Sequence, residues 1–142
     1  MANFASAVTG WALKVTAQLE ERFQETALTG YSILKRRSPV DTGNYRSNWR
    51  AGLNSPNLLD DEESFTLSKF GDEPNQNELK DAKRVIRKAK LKDVVYLTNN
   101  RPFAGKIERG LSTTMAPQGV LRLSYEELKL RFPSLGRFRA RE

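Results

Sequence analysis

Asp41-Thr42-Gly43 is the triplet in this sequence with a catalytic reading. Aspartic proteases set such a triplet in a loop after an apolar strand, where two facing carboxylates share one proton. Here the segment ahead of Asp41 is Arg36-Arg37-Ser38-Pro39-Val40, and the residue after the glycine is Asn44 rather than a small one. No second copy of the triplet exists, so a homodimer would have to supply the pair. The competing reading is a tight turn, with Asp41 accepting from local backbone amides and Gly43 supplying a positive φ.

Other chemistry is narrowed by what the chain lacks. It has no histidine and no cysteine, which removes the commonest general base, the thiol nucleophile and thiolate zinc. The remaining carboxylates sit mainly in charge runs, with no spacing for a calcium loop or a helix-borne metal pair. Gly105-Lys106-Ile107-Glu108-Arg109-Gly110 lacks the phosphate-loop spacing. The sequence therefore names no catalytic, cofactor-binding or metal-ligating residue, and the expectation is a protein that is not an enzyme.

Charge is the stronger signal. The chain carries a net +7. Residues 60–78 hold seven acids and one lysine, and residues 79–92 hold seven bases and one aspartate. On a helix, Lys80, Lys83, Arg84, Arg87 and Lys88 share a face opposite Leu79, Ala82, Ile86 and Ala89. Such a face is a solvated surface, a surface toward DNA phosphates, or a socket for an acidic neighbour. Aromatics do not interleave with it, which argues against base stacking. No run approaches the ~18 apolar residues of a membrane span, and the start lacks a basic, then apolar, leader.

These residues must be positioned by a small set of elements. Phe4, Val8, Trp11, Val15, Leu19, Phe23, Ala27 and Leu34 recur at steps of mostly three and four, which predicts an amphipathic helix over about 3–36. Straight, it would be roughly 50 Å long, against a diameter under about 40 Å for a compact chain of this size, so it must bend or reach beyond its own domain. Trp11 and Trp49 lie on apolar faces and are expected in the core, the alternative for each being an interface anchor. Tyr45, Ser47, Trp49 and Ala51 alternate with polar residues and read as a half-buried strand. Residues 54–63 read as loop, Phe65 to Leu67 as a short strand, and Pro74 as the first turn of a second helix. Val94 to Leu97 reads as a central strand, Asn99 to Pro102 as a turn, and Phe103 to Arg109 as one or two helical turns closed by Gly110. Leu121, Tyr125, Leu128 and Phe132 mark a last helix; alternatively Ser124 and Glu127 form a capping box, leaving 119–123 as a strand.

Three stretches carry a resemblance. Ser38-Pro-Val-Asp-Thr-Gly-Asn-Tyr-Arg-Ser-Asn-Trp49 resembles the "(S)PVDTGxLRxSW" opening of a family of tailed-phage minor tail proteins. Tyr96 to Ser112, with Asn99, Pro102, Phe103, Glu108 and Gly110, resembles its "xNxxPYAxxxExGxS" segment, and Met115-Ala-Pro117-Gln-Gly-Val120 resembles the "QAPxGMV" stretch that follows. Order and spacing also agree, across roughly residues 30–130. Phe103 replaces the usual tyrosine and Met115 stands where glutamine is common. The family is the siphophage neck or tail-completion group, similar to the lambda-type minor tail protein required for head–tail joining. The resemblance implies a virion part without catalysis. Its partners would be tail terminator, tail tube and head-connector proteins, its copies a homo-oligomeric ring of six, and its assembly site the host cytoplasm. Pro39, Asp41, Thr42, Gly43, Trp49, Asn99, Pro102, Phe103, Glu108, Gly110 and Pro117 would then be structural motif residues.

The expectation is a single α+β domain over 1–133, with a long N-terminal helix, a small, largely antiparallel sheet and two further helices, followed by a basic tail at 134–142. Its expected function is structural, in tail completion or head–tail joining as a ring subunit. The alternative is a basic DNA-binding protein, touching genomic DNA nonspecifically through the second helix.

Overall fold

The structure is a computed structural model and describes residues 4–133. The expected basic tail lies outside those residues. The chain forms α1 (Phe4–Arg37), α2 (Asn44–Ser47), β1 (Trp49–Leu53), α3 (Gln76–Ile86), β2 (Val95–Asn99), α4 (Ala104–Glu108) and α5 (Leu121–Arg131). The α+β reading holds. β1 and β2 make one antiparallel two-stranded sheet, with Trp49 opposite Asn99 and Leu53 opposite Val95.

One face of this sheet packs with the C-terminal half of α1 and with α3. The core comprises Tyr31 and Leu34 of α1, Tyr45, Trp49 and Ala51, Ala82 and Ile86 of α3, and Ile107, Ala116 and Val120. Loop 54–61 folds back along β1. A Cβ on Gly52 would lie 2.2 Å from the Ser55 carbonyl oxygen, so the approach requires glycine. α5 closes against α1 at Gly30, where a Cβ would meet Leu128 Cδ2 at 3.3 Å.

α1 is one unbroken helix of 34 residues. Its body-facing part begins near Glu20, which pairs with Lys90 at 3.7 Å, and Gln24, whose Nε2 donates to Ala89 O at 2.8 Å. Toward the N-terminus most residues are exposed. Of the two outcomes expected for so long a helix, it reaches beyond its domain. The core position expected for Trp11 is overturned: Trp11 is 67% exposed, because no other element extends to that level of α1.

Four further expectations are corrected. The alternation at 45–51 divides into a helical turn and a strand. Gly43, at φ 84°, reverses the chain, and Tyr45 and Trp49 reach the core as an i, i+4 pair, a spacing that fits a helical turn as well as an alternation. Phe65 to Leu67 form no strand. Val95–Asn99 is not central, since each strand of a two-stranded sheet is an edge. The second helix starts two residues after Pro74, behind an Asn75–Glu78 capping box. For α5 the helix reading holds from Leu121, and Glu127 pairs instead with Arg36, Arg37 and Arg131.

A buried lysine makes the core pH-sensitive. Lys35 is buried, its Nζ donating to Arg46 O at 3.1 Å. Burial pushes its pKa down to about 8, with Glu78 opposing and Arg46 and Arg50 reinforcing the shift. Unfolded, the amine keeps its proton up to its ordinary 10.5, so between these values the unfolded chain binds more protons and stability rises with pH. Urea titrations should show the unfolding free energy climbing by about 2 kcal/mol between pH 8 and 10. Lys35→Met should flatten that slope; an unchanged slope would mean that other groups carry it. Above 10 the gain is opposed by Tyr31 and Tyr45, whose pKa values burial raises.

Candidate functional site

The three motif stretches converge on the Trp49–Asn99 end of the sheet. Trp49 is buried, its Nε1 donating to Ser38 Oγ at 2.7 Å, and Ser38 Oγ donates in turn to Leu34 O at 2.6 Å. The Tyr45 ring meets Trp49 edge-on at 5.8 Å and Phe103 at 6.3 Å. Asn99 Nδ2 donates to Tyr45 O at 2.8 Å, and its Oδ1 accepts from the Arg101 amide at 3.3 Å. A single hydrogen-bonded and aromatic cluster thus ties the first motif to the second.

The second motif is tied to the third through Glu108. Its carboxylate accepts from the backbone amides of Val120 at 2.9 Å, Leu121 at 2.9 Å and Arg122 at 3.3 Å. These are amides that the first turn of α5 leaves without intrahelical partners, so a side chain 12 residues upstream caps the helix. Gly119, at φ 85°, lies so close that a Cβ there would sit 2.5 Å from Glu108 O. Gly110, at φ 94°, is similarly closed by Pro117 O, 2.6 Å from its Cβ position. The Val40 amide faces Met115 Sδ at 3.3 Å, which joins the third motif back to the first.

Within the Asp41 turn the load falls on different atoms from those expected. Asp41 is exposed, and among the described residues its carboxylate makes no hydrogen bond. Thr42 Oγ1 accepts from the Asn44 amide at 3.3 Å, and a Cβ on Gly43 would lie 2.4 Å from Thr66 O. Asn44 Nδ2 donates to the carbonyls of Asp61, Glu62 and Ser64 at 3.1, 3.0 and 2.7 Å, fastening the acidic loop. Asp41→Ala should therefore change stability by less than about 0.5 kcal/mol, as for surface substitutions generally. Gly43→Ala should cost several times more, since it combines a strained φ with a backbone clash. Chemical denaturation of both variants checks the contrast, and an equal loss would return Asp41 to a structural role. Pro39 is half-buried at the end of α1; Pro102 and Pro117 are exposed.

Two buried polar residues escaped the sequence reading. Arg46 makes a forked pair with Glu78, from Nε to Oε2 at 2.9 Å and from Nη2 to Oε1 at 3.2 Å, and Nη1 donates to Lys69 O at 3.0 Å. Asn48 holds Asp61 from both sides, accepting from its amide and donating to its carbonyl, each at 2.9 Å. Only the tertiary fold joins these partners, and the signal that was present, an arginine and an asparagine inside an apolar alternation, reads equally as a solvent face.

The basic face is helical only in part: α3 ends at Ile86, so Arg87, Lys88 and Ala89, expected on the helix, lie in the turn beyond it. Ala82, Ile86 and Ala89 are buried, while Lys80, Arg84, Arg87 and Lys88 are exposed and Lys83 is half-exposed. The acidic run does not neutralise it. Asp60 pairs with Arg101 at 3.0 Å, Glu73 with Arg36 at 3.3 Å and Glu78 with Arg46. Among the described residues, Arg84 with Asp81 is the ion pair on that face. Arg84 and Lys88 border an open groove of about 320 Å³ against Gly52, Pro56 and Asn57. Clusters of acids that could hold a metal ion are absent among the described residues, and no described helix is long and apolar enough to cross a membrane.

Comparison of the chain with family models, curated proteins and solved structures finds no match.

Proposed function

We propose that this chain is a structural subunit of a siphophage neck or tail end, completing the tail and supporting head–tail joining as one member of a ring. One observation supports the reading most. The residues that carry the resemblance are joined to one another, through the Trp49–Ser38 bond, the Asn99–Tyr45 bond and the Glu108 cap, so that their types and spacing follow from building one body. Glu108, the acid of the second motif, spends its oxygens on three backbone amides, as a scaffold residue does. The partners would be tail terminator, tail tube and head-connector proteins, and the place of assembly the host cytoplasm.

The test is genetic and structural. Removing the chain from its phage should leave filled heads and full-length tails that do not join, and supplying it should restore infectious particles. Its absence from purified virions, together with normal joining without it, would overturn the reading.

The exposed, largely unpaired bases of α3 favour a second reading, contact with DNA phosphates. Reversing Lys80, Arg84 and Arg87 to Glu should then abolish DNA retention in gel shifts at low salt. The wild-type affinity should fall steeply as salt rises. Unaltered retention would reduce the face to a solvated surface.

A further inference from the structure

Two apolar surfaces on this chain face solvent at opposite ends of α1, and their shapes differ. The first is the free N-terminal part of the helix. Val8, Trp11, Leu13 and Leu19 are all exposed there, and residues 4–19 contain a single charge, Lys14, in a chain that is 29% charged. A solvated helix face is not built this way, whereas depletion of charge marks the centre of an interface. Ala5, Ala7, Gly10, Ala12 and Ala17 leave room for close approach. An isolated helical stretch of this length, interrupted by Gly10, is marginal in water, so its helicity calls for a packing partner.

Its own domain cannot provide that partner. Trp11, Val15, Leu19, Phe23 and Ala27 step by four, and each step on a helix of ~3.6 residues per turn carries the stripe about 40° around the axis. Ala27 packs against the core, so Trp11 points about 160° away from that direction. Pairing of two such helices as a coiled coil is also disfavoured. The heptad spacing of 4, 8, 11 and 15 meets Gln18 and Arg22 next, short of the three or four heptads a coiled coil needs.

The second surface lies at the other end of α1, where the Gly71 amide donates to Arg36 O at 3.2 Å. There residues 65–68 alternate in the inverse sense. Thr66 and Ser68 turn inward, Ser68 to Glu78, while Phe65 is 65% and Leu67 90% exposed. Large apolar side chains gathered at one exposed spot mark an interaction surface. With Val40, Phe70 and Met115 these residues line an open groove of about 430 Å³.

We infer that the occupant is a second copy of this chain, whose α1 stripe, centred on Trp11, lies in the groove lined by Phe65, Leu67, Phe70 and Met115. Both surfaces present exposed apolar side chains; the α1 stripe carries only Lys14, and the groove is bordered by one charge of each sign, Asp41 and Lys69. They sit at opposite ends of a helix about 50 Å long, so one subunit cannot satisfy both and each contact leaves one of each free. Such a contact is heterologous and propagates head to tail, closing into a ring or continuing as a filament. It rests on the ring reading above and deepens it by naming the surfaces; Asp60, at the head of the acidic run, is held within its own subunit by Arg101.

Sedimentation of the purified full chain over a range of concentrations tests it, with Trp11→Glu and Leu67→Glu as exposed, fold-neutral changes and circular dichroism as the check on folding. Wild type should self-associate, with a blue shift in emission that belongs to Trp11, because Trp49 is already buried. Each variant alone should be monomeric. An equimolar mixture should form a one-to-one dimer and stop, since each variant retains one intact surface. Wild type that stays monomeric, a variant that still self-associates, or a mixture that does not pair would each overturn the inference. A monomeric wild type would leave the virion reading standing, whereas a self-associating chain absent from virions would sink that reading and keep the contact.

Discussion

Arg46→Ala is expected to lower the unfolding free energy by about 3–5 kcal/mol, the range for breaking a buried ion pair by removing one partner. Arg46 is fully buried, and its guanidinium satisfies both Glu78 oxygens and Lys69 O at once. Truncation leaves the Glu78 carboxylate, whose side chain is 6% exposed, without its counterion. The loss extends beyond the pair. Glu78 also accepts from Ser68 and from the Asn75 amide that opens α3, and the Arg46 carbonyl receives Lys35. Arg46→Lys should recover only part of the loss, because an ammonium cannot reproduce the fork. A pH series adds an independent arm. Burial would raise the Glu78 pKa, but hydrogen bonds from Arg46 and Ser68 outweigh it and hold the folded value below the ordinary 4.5. Wild type therefore keeps this contribution above about pH 4.5 and loses it as pH falls through the depressed folded value. Arg46→Ala should lose less on acidification than wild type. Equal acid sensitivity, or a midpoint within experimental error of wild type in urea, would show that the pair is not holding the 65–78 segment to the core.

The contrast between this pair and α1 explains what was legible in the sequence. The bounds of α1 could be read within one residue, because apolar spacing, terminal cations and Pro39 are all local signals. The Gly110 stop and the position of β2 were legible for the same reason. Trp11 was misplaced because periodicity identifies which face of a helix is apolar, not whether anything covers it. The strand expected from Tyr45 failed because an i, i+4 pair and an alternation share the same positions over five residues. Arg46–Glu78 spans 32 residues and Glu108 caps a helix 12 residues onward, and neither distance leaves a periodic trace. The candidate site was thus found as three separate stretches, and only the fold shows that they hold each other.

That mutual dependence predicts the second large effect. Trp49→Ala should cost about 3–5 kcal/mol, the usual range for emptying a buried aromatic position, and lower the melting temperature by about 10 °C or more. Four separate supports meet at this residue. The ring is 2% exposed and stands edge-on to Tyr45 at 5.8 Å; its Nε1 donates to Ser38 Oγ; its carbonyl accepts from the Tyr31 hydroxyl at 3.0 Å; and its backbone pairs with Asn99. Alanine retains the two backbone contacts and forfeits the ring and the indole bond, so the strand should survive while the first and second motifs lose the wall between them. Trp49→Phe separates the two losses. It keeps most of the apolar volume and removes the hydrogen bond, leaving Ser38 Oγ still bonded to Leu34 O, and should cost about 1–2 kcal/mol. A motif residue that served a ligand rather than the scaffold would behave differently: Trp49→Ala would abolish binding and leave the melting temperature near that of wild type. A loss of stability ordered alanine above phenylalanine, with any binding falling only as the folded fraction falls, is what a scaffold of this construction requires.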